Sequence, residues 1–154
     1  MTAQVLDQNT GLRRQALHAL CLADPDAKQV ATHALQHMAL SVDDAAMRAE
    51  AAITLHPASG CTLPGRPALP RLVSPGLVPH RSPFTPQGLA ALLHAIAHIE
   101  FNAINLALDA VWRFPGMPCG FYRDWLRVAG EESLHFGLLR QELQSLGHDY
   151  GDFD

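Results

Sequence analysis

Apolar residues recur along most of the chain at the three- and four-residue spacing of a helix, and no stretch alternates convincingly with the period of two that a half-buried strand needs. The strongest pattern begins at Thr85-Pro86, where threonine is a good N-cap and proline suits the first helical position. From there Leu89, Leu92, Leu93, Ile96, Ala103, Ile104, Ala107, Leu108 and Val111 mark one side of a helix. It should stop before FPGMPCG, which holds two prolines and two glycines. At ~1.5 Å per residue such a helix reaches roughly 42 Å. A second long helix is expected from about Cys119 to Leu146, with Phe121, Trp125, Val128, Ala129, Phe136, Leu139, Leu143 and Leu146 inward and Gly147 as C-terminal cap. Two long helices with a short connection make an antiparallel hairpin over residues 86–147.

Upstream, residues 11–53 show weaker helical patterning in short pieces. GLRRQALHALCLAD places Leu12, Ala16, Leu17, Leu20 and Leu22 near one stripe and ends before Asp24-Pro25. PDAKQVATHALQHMAL repeats the pattern through Val30, Ala34, Leu35 and Met38, and VDDAAMRAEAAI opens on Asp43 and Asp44, which suit the positive end of a helix dipole. Residues 54–85 break the pattern. Eight of the eleven prolines fall between Pro57 and Pro86, so neither a regular helix nor a central strand fits there. Its apolar residues Leu69, Leu72, Val73, Leu77 and Val78 suggest a strap laid over the helices. The expected architecture is one all-α domain over residues 1–154.

Composition narrows the function classes. Nearly half of the 154 residues are apolar, enough for a real core. The formal charge is -4, and ten arginines accompany a single lysine, Lys28. No basic stripe results, which argues against generic nucleic-acid binding. The opening MTAQVLDQNTGLRR lacks the apolar centre of a leader, and no run approaches membrane-spanning length, so the expected setting is cytoplasmic and away from membranes. Cys21, Cys61 and Cys119 are scattered and lack C-x-x-C spacing, and they read as reduced thiols.

Three polar residues interrupt the apolar side of the hairpin. Glu100 stands four residues after Ile96 and four before Ile104. Glu132 is four after Val128, and His135 is four before Leu139. All three are placed on the buried side. Their heights, counted from the turn near Gly116, agree within about one to one and a half helical turns. A carboxylate and a Glu-x-x-His pair can therefore meet across the hairpin. Together they are half of the helix-bundle site that holds two iron or manganese ions with four glutamates and two histidines. A buried Glu-His ion pair, or neutralisation of one carboxylate by Arg123 or Arg127, is the plainer alternative. Glu131 points about 100° away and is the reserve ligand.

Other candidates carry less. His33 and His37, like His94 and His98, have the i,i+4 spacing of a zinc-chelating pair. The second pair shares a polar stripe with Asn102, Asn105 and Asp109, so helix-surface hydrogen bonding is the simpler reading, with His98 as a donor supporting Glu100. Trp112, Trp125, Phe114 and Tyr122 read as packing around the hairpin turn. No phosphate loop, G-x-S-x-G elbow or Cys-His arrangement is present.

The segments HIEFNAI and EESLHFGLLR, with LRRQALHALCLADPDAK and PGRPALPRLV upstream, closely resemble the bacterial ferritin-like family known as domain of unknown function four-five-five. The resemblance spans most of the chain. It implies a ferritin-like bundle with Glu100 as ligand from the first long helix, and Glu132 and His135 from the second. Relatives in the wider ferritin-like group include oxygen-using di-iron enzymes, among them a transfer-RNA hydroxylase, so an oxidoreductase ancestry is implied without a substrate. Members of the family continue past YGDF through two further long helices bearing another Glu and another Glu-x-x-His. This chain is therefore expected either to be a C-terminally truncated copy or to pair as a homodimer whose two-fold axis restores four Glu and two His. A metal-free helical interaction module is the rival from another class, and iron storage is weaker still.

Overall fold

The structure, a computed structural model, describes residues 11–154. The first ten residues, on which the absence of a leader was argued, lie outside the described part. Five helices follow in order: α1 (Leu12–Cys21), α2 (Pro25–Ser41), α3 (Asp44–Ala51), α4 (Pro86–Arg113) and α5 (Cys119–Ser145). A single 3-10 turn at Pro75–Leu77 interrupts the strap, and no strand occurs among the described residues. The protein is all-α.

Local chemistry sets the helix starts. Asp24 accepts from Ala27 N at 2.8 Å, Asp43 from Ala46 N at 2.8 Å, and Thr85 from Gly88 N at 3.1 Å, each satisfying an amide that the helix leaves without a partner. The hairpin turn runs through Gly116, whose φ of 73° lies where a side chain would be strained. Tyr122 closes that turn: its buried hydroxyl donates to Phe114 O at 2.8 Å and accepts from Met117 N at 3.0 Å. Trp112 donates to Leu55 O at 3.0 Å, and Trp112, Trp125 and Tyr122 pack as expected, whereas Phe114 is about half exposed.

The core lies between α4 and α5 and is roofed by α1. Phe101, Ile104, Leu108 and Val111 meet Tyr122, Leu126, Ala129, Phe136 and Leu143, and Leu12, Ala16 and Leu20 of α1 join the same cluster. α2 approaches α5 along small residues. A Cβ on Gly130 would fall 2.2 Å from the Gln36 side chain, and Gln29 Nε2 donates to Ser133 O at 2.9 Å. This contact rotates α2 away from the expected stripe. Its buried residues are Lys28, Thr32, Leu35 and Ala39, while Val30 is 71% exposed and Ala34 is also outside.

Two buried cations replace apolar packing where loops cross the core. Arg13 donates to Ile53 O at 2.6 Å, Trp112 O at 2.7 Å and Val111 O at 3.3 Å. Lys28, fully buried, donates to Gly65 O at 2.9 Å, Leu20 O at 3.2 Å and the Asn105 side chain, and sits 5.1 Å from the centre of the Phe101 ring. Burial pushes its pKa down to about 7, with the Arg66 charge as the second cause.

Three expectations need correction. Cys21 and Cys61 form a disulfide that ties the strap to the end of α1, and only Cys119 remains a free thiol. Odd number and irregular spacing do not report on two residues that folding brings together. The strap docks through residues 61–70, but Leu69, Leu72, Leu77 and Val78 are exposed, because its prolines hold the backbone extended past the helices. Finally, α4 is long and apolar enough by itself to cross a membrane, since its alanines and leucines continue around most of its circumference. Roughly a third of that segment is buried against the rest of the protein.

Candidate metal centre

Glu100 projects from the middle of α4, between the buried side carrying Phe101 and Ile104 and an exposed side carrying Ile99 and Leu106. Glu132 and His135 come from adjacent turns of α5, flanked by the buried Ser133 and Phe136. The helical period decides this arrangement. The buried residues on either side of each ligand fix how the helix is rotated, and the ligand is left at the edge of the seam.

The three side chains converge. One ligand atom from each lies within 4.8 Å of the other two. His135 Nδ1 is 3.1 Å from Glu132 Oε2 and 4.0 Å from Glu100 Oε2. The expectation that all three are buried is only partly right. Glu100 and Glu132 side chains are 21% and 25% exposed, whereas that of His135 is 52% exposed. The cluster therefore sits at the rim of the hairpin seam.

Electrostatics single the cluster out. Hydrogen bonding between the two carboxyl side chains, then burial and the like charge of Glu132, hold the Glu100 carboxyl above its ordinary range. The Glu132 carboxyl is held below its range by Glu100 first and by His135 as well. The two carboxyls are linked, the Glu100 group pushed up and the Glu132 group held down by the hydrogen bond between them. Neither arginine considered as neutraliser is present: Arg123 binds Asp44 at 2.7 Å and the carbonyls of Ala39 and Val42, and Arg127 binds Asp124 at 3.0 Å. Glu131 is exposed and takes no part in the cluster.

The other histidines are placed differently from the sequence reading. His94 is buried and accepts from Gly151 N at 3.0 Å, instead of lying on the helix surface. His98 Nδ1 pairs with the Tyr150 hydroxyl at 2.8 Å and gives no support to Glu100. His33 Nε2 lies 3.3 Å from Ser133 Oγ. The contacts of His94 and His98 come from the last residues folding back over α4, a return that periodicity in the helices does not announce, whereas that of His33 joins α2 to α5.

Comparison with known proteins supplies the affiliation. The family described as "Protein of unknown function (DUF455)" matches residues 21–154. The chain belongs to the DUF455 family. An uncharacterized protein of Haemophilus influenzae is 57% identical over 95 residues, covering 57% of this chain and 33% of that protein. The DUF455 chain described here thus matches about a third of the length of that curated relative. No solved structure matches.

Proposed function

We propose that the α4–α5 hairpin is half of a ferritin-like two-metal carboxylate centre, with Glu100, Glu132 and His135 as its ligands and iron or manganese as its metal. The observation that carries this reading is the convergence of the three donors within 4.8 Å across two helices. Metal–ligand bonds of about 2 Å put neighbouring donors about 3 Å apart and opposite ones about 4 Å. Small side-chain movements would therefore complete the shell. The donor set fits as well, since hard carboxylates with one imidazole suit iron and manganese better than thiolate-loving metals. Two carboxyl groups held this close are favoured in their charged forms when a cation binds between them.

Iron or manganese bound there would supply redox chemistry toward dioxygen, and an oxidoreductase is the reaction class this reading favours. The chain's own residues position and shield. The Glu132–His135 pair, one turn apart, is pre-aligned by its own hydrogen bond, and Phe101 and Phe136 close the core side against water. The open side needs a cover. Leu92, Ile99 and Leu106 of α4 and Leu134 and Leu138 of α5 are exposed on the two helices that carry the cluster. A second copy packed here about a two-fold axis would bury that stripe and bring in a second Glu and Glu-x-x-His, completing the ligand set.

Elemental analysis of protein prepared without a histidine tag tests the metal reading. About one iron or manganese per chain, lost in His135→Ala, supports it. A wild-type protein that takes up neither metal, at any concentration where it is folded, overturns it. The same exposed stripe favours a second reading, a metal-free module that docks a helical partner. For that reading, Glu132→Ala and His135→Ala leave self-association unchanged in sedimentation while Ile99→Asp abolishes it.

A further inference from the structure

We propose that the small cavity under the strap binds an oxyanion, a carboxylate or phosphate group, with Arg66 as the donor that recognises its charge. The cavity measures about 180 Å³ and lies between the strap and the α4 residues His98 and Phe101, with Tyr150 closing one end. At ~30 Å³ per water it holds the equivalent of roughly six, room for a phosphate or a short carboxylate. Arg66 and Arg71 point their chains at it from the strap, and no acidic residue lines it. The Tyr150 hydroxyl and His98 imidazole add hydrogen-bonding groups, while Phe101 and Pro70 supply apolar walls.

Arg66 is held in place by more anchors than a surface arginine has. The disulfide fixes Cys61 to Cys21. Gly65 N donates to Leu20 O at 2.8 Å, and Gly65 O accepts from Lys28. Gly65 lies so close to α1 that an added Cβ would come 2.2 Å from Cys21 O. The next residue is Arg66, which donates to Asn102 Oδ1 at 2.6 Å. Among the described residues no carboxylate pairs with it, whereas Arg71 is held by Asp154 at 3.1 Å on the rim. Its charge is felt by His98 and Tyr150 in the cavity wall and by Lys28 beyond it. A half-buried guanidinium placed so firmly and left without an anion is a fork ready for two oxygens. This inference does not depend on metal at Glu100, Glu132 and His135.

The full chain, treated with a chelator, is titrated with inorganic phosphate and separately with acetate, and binding is followed by amide and side-chain NMR shifts. Saturable shifts confined to residues 65–71, His98 and Tyr150 are expected, with the tighter of the two anions naming the head group. Arg66→Met should weaken binding by about tenfold or more, and Tyr150→Phe, which keeps the aromatic packing, by roughly threefold. Unsaturable shifts spread over the other arginines mean an adventitious ion only and overturn the proposal. So does a folded Tyr150→Phe or Arg66→Met protein that titrates like the wild type.

Discussion

Lys28 Nζ stands 2.9 Å from the carbonyl oxygen of Gly65, a residue 37 positions away, and through it α2 holds the strap against α1. The same ammonium serves Leu20 O and the Asn105 side chain. Lys28→Met fills the volume but takes the ammonium donor from the buried oxygens of Gly65 and Asn105, while Leu20 O keeps its bond from Gly65 N, so it should lower stability by about 2–3 kcal/mol, measured by urea unfolding. The wild type carries a pH signature as well. With the folded pKa at about 7 and the unfolded value at 10.5, the unfolded chain binds more protons between those limits. Lys28 therefore makes the folded state gain stability as pH rises from about 7 toward 10.5, and the Lys28→Met protein should lose that slope.

At the other end of α5, Arg140 grips Asp149 at 2.7 Å and Asp26 at 2.7 Å, fastening the chain's return to both α2 and α5. The guanidinium holds the Asp149 carboxyl down to about 2, against an ordinary 3.8. A depressed carboxylate stabilises above its unfolded value, and that contribution is lost as pH falls through the folded one. Asp149→Asn should thus cost up to about 1 kcal/mol at pH 7, the figure reduced for a partly exposed pair. Acid titration of both proteins should show the difference shrinking below about pH 4 and gone near pH 2.

Reduction of Cys21–Cys61 tests the strap's tether. The bond closes a loop with a sequence separation of 40, for which chain entropy predicts about 3–4 kcal/mol of stabilisation. A Cys61→Ser protein should melt several degrees lower than the wild type under oxidising conditions. In the presence of dithiothreitol the two should melt together.

Glu100→Gln separates stability from function. Because its neighbour holds the Glu100 carboxyl above the ordinary range, the folded metal-free protein loses stability as pH rises through that range. A glutamine, which mimics the protonated acid, should raise metal-free stability at pH 7 by up to about 1 kcal/mol while removing a ligand. Thermal melts with a chelator present check the sign.

The helices were legible because their signals are local. Thr85-Pro86, Asp43 and the three- and four-residue spacing in α4 and α5 act within one or two turns, and the long hairpin follows from them. The spacing also brought Glu100, Glu132 and His135 together, since facing antiparallel helices leave little freedom in height. What stayed hidden depends on distant partners. The burial of Lys28 and Arg13 is decided by carbonyls of other segments, the Cys21–Cys61 bond by how the strap returns to α1, and the burial of His94 by Gly151 arriving from the chain's last residues. Exposure of His135 was misjudged for the same reason. The apolar spacing around it is real, but its side chain lies at the rim of the seam and is half exposed.

The most direct test is an anaerobic calorimetric titration of chelator-stripped protein with iron(II) and with manganese(II), run alongside Glu100→Gln and His135→Ala. Saturable uptake near one ion per chain, weakened about tenfold or more in both variants, is the predicted result. Uptake that is absent in the folded wild type, or equal in all three proteins, would contradict the metal centre.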